Sequence, residues 1–266
     1  MSVLLCPKCK KALVKVGNSL KCENGHCFDI ASEGYVNLVM GKISGGDSPD
    51  MCRARHEFLS AGYYEPFAKG ISRVIKEFSA NKICDVGCGE GYYSRVIKSE
   101  NENADIIGFD LAKTSVKYAS KAEKGKVDPI NYAVCGIFDM PLPDRCFDAL
   151  ISVFAPVPDK EARRILKDGG IMIVCHPGKD HLSGLKSLVY DTPYDNEESN
   201  DNYDGFEKLR DERVKYEATV SKEHIPSLFL MTPYYWKTSK ADAEKLDQAD
   251  ELRTTLDFII SIYRKR

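Results

Sequence analysis

Two groups of residues have types and spacings that imply chemistry. The first is Cys6-Pro7-Lys8-Cys9 followed by Cys22-Glu23-Asn24-Gly25-His26. Two close pairs of thiolate and imidazole donors suit tetrahedral zinc. Cys6, Cys9, Cys22 and His26 are the expected ligands, with Cys27 a rival for the fourth position. All four donors come from the chain, so the metal is expected to be structural, with no open site for water. The second group is Asp85-Val86-Gly87-Cys88-Gly89-Glu90-Gly91-Tyr92-Tyr93. An apolar run ends in an acid, turns through three glycines and enters a helix. Glycines let a ligand approach the backbone closely, because no Cβ intervenes. Ile106-Ile107-Gly108-Phe109-Asp110 then reads as the next strand, again ending in an acid. A carboxylate about 20 residues beyond such a loop can accept hydrogen bonds from a ribose diol.

These groups need a scaffold, and the rest of the chain supplies one. Residues 12–21 form a hairpin pattern with a Gly17-Asn18 turn, so the N-terminal segment reads as a zinc ribbon. About 30 residues cannot build an adequate core alone, and metal binding makes up the difference. Residues 33–40 read as an extended connector and 42–49 as a polar loop. Residues 50–78 carry helical apolar spacing with a break near Gly62 and Pro66. Strands are expected at 83–86, 105–109, 129–134, 147–153, 170–175, 214–220 and 254–263. Helices are expected to start near Tyr92, Thr114 and Asp159, another to follow His181, and one to lie between the last two strands. Alternation of strands and helices marks a mainly parallel sheet, here seven-stranded and closed by an antiparallel hairpin. The acidic stretch 191–204 reads as a flap. The expected division is ribbon 1–34, connector and helical segment 35–78, and α/β domain 79–266.

The chain has 266 residues, 43% hydrophobic, enough for one substantial core plus a small module. No apolar run is long enough to span a bilayer, so no membrane partner is expected. The ten cysteines are grouped near the zinc motif and the glycine loop or scattered in apolar runs, which points to a reducing cytoplasm rather than a disulfide framework. Net charge is −2 and the pI about 6.2, so a nucleic-acid partner needs a local basic face. The ribbon offers Lys8, Lys10, Lys11, Lys15 and Lys21 against Glu23 alone.

Asp85-x-Gly87-x-Gly89-x-Gly91 resembles the S-adenosylmethionine (SAM) loop of Rossmann-like class I methyltransferases, not the dinucleotide fingerprint. The resemblance implies a SAM site at Asp85, Gly87, Gly89, Gly91, Tyr92, Tyr93 and Asp110. Asp85 is then expected to meet the SAM ammonium group and Asp110 its ribose. The ribbon, Gly34-Tyr35-Val36-Asn37-Leu38, Gly46-Asp47-Ser48, Ala54-Arg55, Gly62-Tyr63-Tyr64, Phe154-Ala155-Pro156, Pro177-Gly178 with His181-Leu182, and Met231-Thr232-Pro233 extend it over nearly the whole chain. Together they resemble the bacterial guanine-N1 methyltransferases of 23S ribosomal RNA. That likeness implies an RNA hairpin as substrate and a homodimer, and it leaves open which of the family's two branches, acting on neighbouring guanines, the chain joins. Guanine N1 carries a proton, so a base is needed, and Asp47, His176 and His181 are the candidates. Phe154 and Pro156 are expected at the target base, and Lys8, Lys10 and Lys11 at RNA phosphates. The competing readings are a small-molecule SAM methyltransferase and a non-catalytic zinc-ribbon RNA-binding protein that retains SAM.

Overall fold

The computed structural model describes residues 3–41, 46–198 and 202–266. Residues 42–45 of the expected polar loop and 199–201 of the expected flap lie outside the described residues. The ribbon is a three-stranded antiparallel sheet of β1 (Val14–Val16), β2 (Ser19–Lys21) and β3 (Cys27–Asp29). The β1–β2 turn places Gly17 at φ +62°, the left-handed region that glycine enters without cost.

The remaining strands form one eight-stranded sheet. They are β4 (Val36–Asn37), β5 (Lys82–Val86), β6 (Asp105–Asp110), β7 (Asn131–Val134), β8 (Phe147–Val153), β9 (Leu166–Pro177), β10 (Phe206–Ser221) and β11 (Glu251–Lys265). Their spatial order is β10-β11-β9-β8-β5-β6-β7-β4. Strands β4 to β9 run parallel, while β11 pairs antiparallel with both β9 and β10. All seven expected strands are present. The eighth, β4, comes from the segment read as a connector. It covers the outer edge of β7 through Val36↔Ala133 and Asn37↔Val134. Two paired residues are too few to leave a periodic signal. The interior strands are nearly continuous apolar runs because helices cover both faces. Strand β10, at an edge, alternates exposed and half-buried side chains instead.

Helices α1 (Pro49–Ser60) and α2 (Glu65–Glu77) precede β5. Ser48 caps α1 through its Oγ, which accepts from the Met51 N–H, and Pro49 fits the first turn. Gly62, at φ +84°, turns the chain between the two helices. Helices α3 (Tyr92–Glu100), α4 (Lys113–Glu123), α5 (Asp159–Ile165) and α6 (Ser183–Val189) follow β5, β6, β8 and β9. Two short helices, α7 (Ile225–Leu230) and α8 (Lys240–Ala243), lie between β10 and β11 with a 3-10 turn over Pro233–Trp236.

Phe58, Phe67, Ile71 and Val74 of α1 and α2 share a core with Ile83, Val153 and Phe258 of the sheet. On the other side, Leu4, Cys6, Leu13, Leu20 and Cys22 of the ribbon share a core with Met140, Leu142, Phe109 and Val86. The Leu5 N–H also donates to the Pro141 carbonyl at 2.8 Å. The ribbon therefore leans on the segment that follows β7. Among the described residues no helix is long and apolar enough to cross a membrane.

Candidate active site and metal cluster

The ligand atoms of Cys6, Cys9, Cys22 and His26 lie within 4.8 Å of one another. Cys6 Sγ and Cys22 Sγ are each 3.4 Å from His26 Nδ1, and Cys9 Sγ is 3.7 Å from Cys22 Sγ. Zinc bonds of about 2.1–2.3 Å in tetrahedral geometry give edges of about 3.4–3.8 Å, so the donor set fits the ion. The backbone N–H of Lys11 holds the Cys9 thiol down to about 6, which favours the thiolate that a metal binds. Cys27 is exposed and outside the cluster. His26 therefore completes the donor set.

At the carboxyl ends of β5, β6, β7 and β8 a cavity of about 950 Å³ opens. This is where ligands bind in open α/β sheets. Gly87, Gly89 and Gly91 all have φ between +54° and +76°, yet they serve different needs. A Cβ on Gly87 would stand 2.4 Å from Ala155 Cβ, and one on Gly91 2.4 Å from the Tyr132 hydroxyl. A Cβ on Gly89 would meet nothing within 4 Å. Gly87 and Gly91 thus admit neighbouring protein, and only Gly89 keeps space open for a ligand.

Asp110 accepts the Gly89 N–H at 2.9 Å on one carboxylate oxygen and the Ala112 N–H at 2.7 Å on the other. Each oxygen retains a lone pair, and Asp110 lines the cavity. The donor capacity of a ribose diol matches that pair. Tyr92 and Tyr93 line the same wall. Asp85 departs from expectation. Its carboxylate is buried, accepts the Ser94 hydroxyl at 2.5 Å and is not among the cavity walls. Burial, reinforced by the charge of Asp110, pushes its pKa up to about 7 despite the Ser94 bond. Asp85 fastens α3 to β5 instead of facing the cavity. Within the glycine loop the acid that lines the cavity is Glu90, held by Arg95 at 2.8 Å and His56 at 2.9 Å, with one buried oxygen that has no protein partner.

Residues 77–258 match the family "Methyltransferase domain", and residues 4–40 match the zinc ribbon described as "RlmA, N-terminal". The Streptomyces fradiae 23S rRNA (guanine(748)-N(1))-methyltransferase is 34% identical over 68% of this chain and 66% of its own length. YxjB of Bacillus subtilis, provisionally named a 23S rRNA (guanine-N(1)-)-methyltransferase, is 30% identical over 99% of this chain and 98% of its own length. The chain belongs to the 23S rRNA guanine-N1 methyltransferase family. The fold agrees with that of YcgJ from Bacillus subtilis, at TM-score 0.50 and 16% identity over 75% of this chain and 98% of that one. This family member is a SAM-dependent methyltransferase of class I fold with a zinc ribbon.

The residues just after β8 form another part of the cavity wall. Phe154 is 45% exposed, lines the cavity and holds a left-handed backbone at φ +54°. Such strain in a non-glycine residue gathers at functional sites. Pro156 lines the cavity beside it. His181 also lines it, but its Nδ1 accepts the Asp257 N–H at 3.2 Å and its Nε2 lies 3.3 Å from the Tyr64 hydroxyl. The Nδ1 contact places the ring proton on Nε2. Burial drives the His181 pKa down to about 3, so the ring stays neutral with no free lone pair. His176 departs from expectation more fully. It is absent from the cavity walls and lies 3.4 Å from Ser261 Oγ. Strand alternation separates it from the flanking residue Pro177, which lines the cavity.

Asp47 remains at the mouth. Its carboxylate pairs with Arg55 Nη1 at 2.5 Å, and Arg55 Nη2 donates to the Met231 carbonyl at 3.3 Å. One guanidinium thus ties two lips of the cavity. On the ribbon Lys8 is exposed. Lys10 pairs with Asp139 at 2.8 Å and Lys11 with Glu23 at 2.9 Å. Sequence reasoning missed Gly136–Phe138, which line the cavity just after β7. The rule that ligands sit at carboxyl ends of parallel strands was the signal available for them. It also missed Glu90, whose neighbours His56 and Arg95 come from two helices.

Proposed function

We propose that the protein methylates N1 of one guanine in a hairpin of 23S ribosomal RNA, in the cytoplasm. SAM, when bound, supplies an electrophilic methyl group. Gly89 leaves room for it, Asp110 holds its ribose hydroxyls, and Tyr92 and Tyr93 wall it in. Phe154, half-exposed beside this cavity, stacks on the target guanine with Pro156 below. Guanine N1 must lose its proton to act as a nucleophile. Of the three candidate bases, Asp47 alone offers an acceptor at the mouth, since His181 has both nitrogens committed and His176 lies elsewhere. Arg55 positions that carboxylate. The Lys8, Lys10 and Lys11 surface of the ribbon contacts RNA phosphates, and paired ribbons of a homodimer embrace the hairpin.

The observation that carries this reading is a single cavity joining the Gly89–Asp110 pair to a strained, half-exposed Phe154, with a zinc ribbon against its wall. The test is transfer of labelled methyl groups from SAM to unmodified 23S rRNA, with mapping of the product. One N1-methylated guanine is expected. Methylation of small metabolites alone, or SAM binding with no transfer, would overturn it. Asp47→Asn is expected to lower kcat by about 100-fold or more while SAM affinity holds, in line with loss of a general base.

A further inference from the structure

Among the described residues, five aromatic side chains are strongly exposed: Trp236 at 69%, Phe138 at 67%, Phe154 at 45%, Tyr194 at 44% and Tyr235 at 41%. Three of the five, Phe138, Phe154 and Tyr194, line the cavity, and the other two, Tyr235 and Trp236, are chain neighbours of Tyr234 and Lys237, which also line it. The exposed aliphatic residues Val14, Val16, Met40 and Val127 are not part of its wall.

The Trp236 lip is fastened from behind. The Tyr234 hydroxyl donates to Asn196 Oδ1 at 2.9 Å, and Asn196 Nδ2 donates to the Gly178 and His181 carbonyls at 3.0 Å each. Thr238 Oγ1 donates to the Tyr234 carbonyl at 2.9 Å. Tyr235 packs edge-on to Trp236, with ring centroids 5.0 Å apart. The turn that carries Trp236 is therefore fixed, with the Trp236 ring left in water. Lys237 adds a cation to the cavity lining beside Trp236, and among the described residues no ion pair to a carboxylate involves it.

We infer that the cavity mouth is a stacking clamp for unpaired RNA bases, with Trp236 and Phe138 on its lips receiving nucleotides that flank the target guanine and Lys237 a phosphate. The inference rests on the RNA methyltransferase reading and adds which surface grips the RNA and in what form. Flat π-faces accept any base, but only one that is not buried in a duplex. An aromatic ring beside a cation fits a nucleotide better than an aliphatic partner surface. This places the main grip on the methyltransferase mouth, in addition to the ribbon lysines, two of which are already neutralised by Asp139 and Glu23.

Trp236 is the sole tryptophan of the chain, so it reports on its own contact. The experiment titrates the zinc-loaded full chain, saturated with S-adenosylhomocysteine, with an unmodified 23S rRNA hairpin. Quenching of tryptophan fluorescence is expected with the looped RNA and not with a fully paired duplex of the same stem. Trp236→Ala is expected to weaken hairpin binding by about tenfold, the loss of one stacked base, while Trp236→Phe keeps most of the affinity. Melting temperature and SAM affinity should stay as in the wild type, because the ring is exposed. Unchanged fluorescence at saturation, equal quenching by the duplex, or wild-type affinity in Trp236→Ala would overturn the clamp. If the wild-type protein methylates no rRNA, the functional reading itself fails. If it methylates rRNA and Trp236→Ala does so with the same KM, only the clamp fails.

Discussion

In the ribbon, four side chains hold both the metal and the fold. Leu4, Leu13 and Leu20 are its buried aliphatic side chains near the metal, and its strands are three residues long. In the methyltransferase sheet, the fold stands first and the site is laid across its edge. Asp110, Gly89 and Phe154 come from three different strand ends, each fixed by a core that owes nothing to the ligand. One region is therefore expected to depend on the metal its donors fit, while the other is preorganised by its own core. The contact between them is narrow but well placed. Leu5 and Lys10 of the ribbon touch Pro141 and Asp139, and the same segment after β7 supplies Ile137 and Phe138 to the cavity wall.

The largest effect should come from taking the metal. Structural zinc contributes apparent binding energies of about 10–16 kcal/mol in isolated fingers, which exceeds what so small a core could replace. Cys6→Ser, or chelation, is expected to abolish the single bound zinc and unfold the ribbon. The methyltransferase sheet should still melt as a cooperative unit, visible as a retained calorimetric transition. SAM affinity is expected to fall, because the segment after β7 loses its support. Cys27→Ser should keep the metal in full. Unchanged SAM affinity in the zinc-free protein would show that the cavity wall is self-supporting. Collapse of both transitions together would erase the distinction between the two regions.

A smaller effect separates the glycines within the loop. Gly87→Ala must hold a left-handed backbone and force a Cβ against Ala155. Strain of about 1–2 kcal/mol and overpacking of about 1–3 kcal/mol together predict a loss of several kcal/mol in denaturant unfolding. Gly89→Ala carries only the backbone strain, since its Cβ meets nothing. Its stability should fall by about 1–2 kcal/mol. Its SAM affinity, by calorimetry, should fall more steeply than its stability, because the new methyl group occupies ligand space. Full SAM affinity in Gly89→Ala would place the cofactor away from this glycine.

What could be read in the sequence follows the same division. The zinc ligands span 21 positions, and their spacing names the ion and three donors, while the cluster geometry picks His26 over Cys27 as the fourth. The glycine loop and Asp110 are likewise local, and the interior strands β5, β6, β8 and β9 carry apolar runs. Side-chain aim was harder to read. Asp85 looked like a ligand because it precedes the glycines, but Ser94, one turn into α3, claims it. Asp47, His176 and His181 are equal candidates as letters, but strand alternation turns His176 from the cavity and the Asp257 N–H occupies Nδ1 of His181. Arg55 meets Met231 across 176 positions of chain. No local pattern carries such a pair. The β4 strand is two residues long and owes its existence to the free edge of β7.

The smallest effect tests whether the ribbon's charge acts alone or through the contact. Lys10 and Asp139 form an exposed pair, with side chains 50% and 81% accessible. Such pairs contribute about 0–1 kcal/mol to stability, so Lys10→Ala should barely move the melting temperature. Its effect on RNA should be larger than one lost phosphate contact. Removing Lys10 also unmasks the Asp139 carboxylate, whose chain neighbour Phe138 lines the cavity to which the proposed function brings RNA. Like charge there repels phosphate, and the repulsion weakens with salt. Lys10→Ala is therefore expected to weaken hairpin binding by a few-fold at low ionic strength and less at high. Lys10→Ala with Asp139→Ala should recover most of that loss, although the lysine is still missing. Recovery in the double variant would assign Lys10 to shielding the mouth. A loss that persists without Asp139 would assign it to direct phosphate contact, and the ribbon would then grip RNA independently of the cavity it supports.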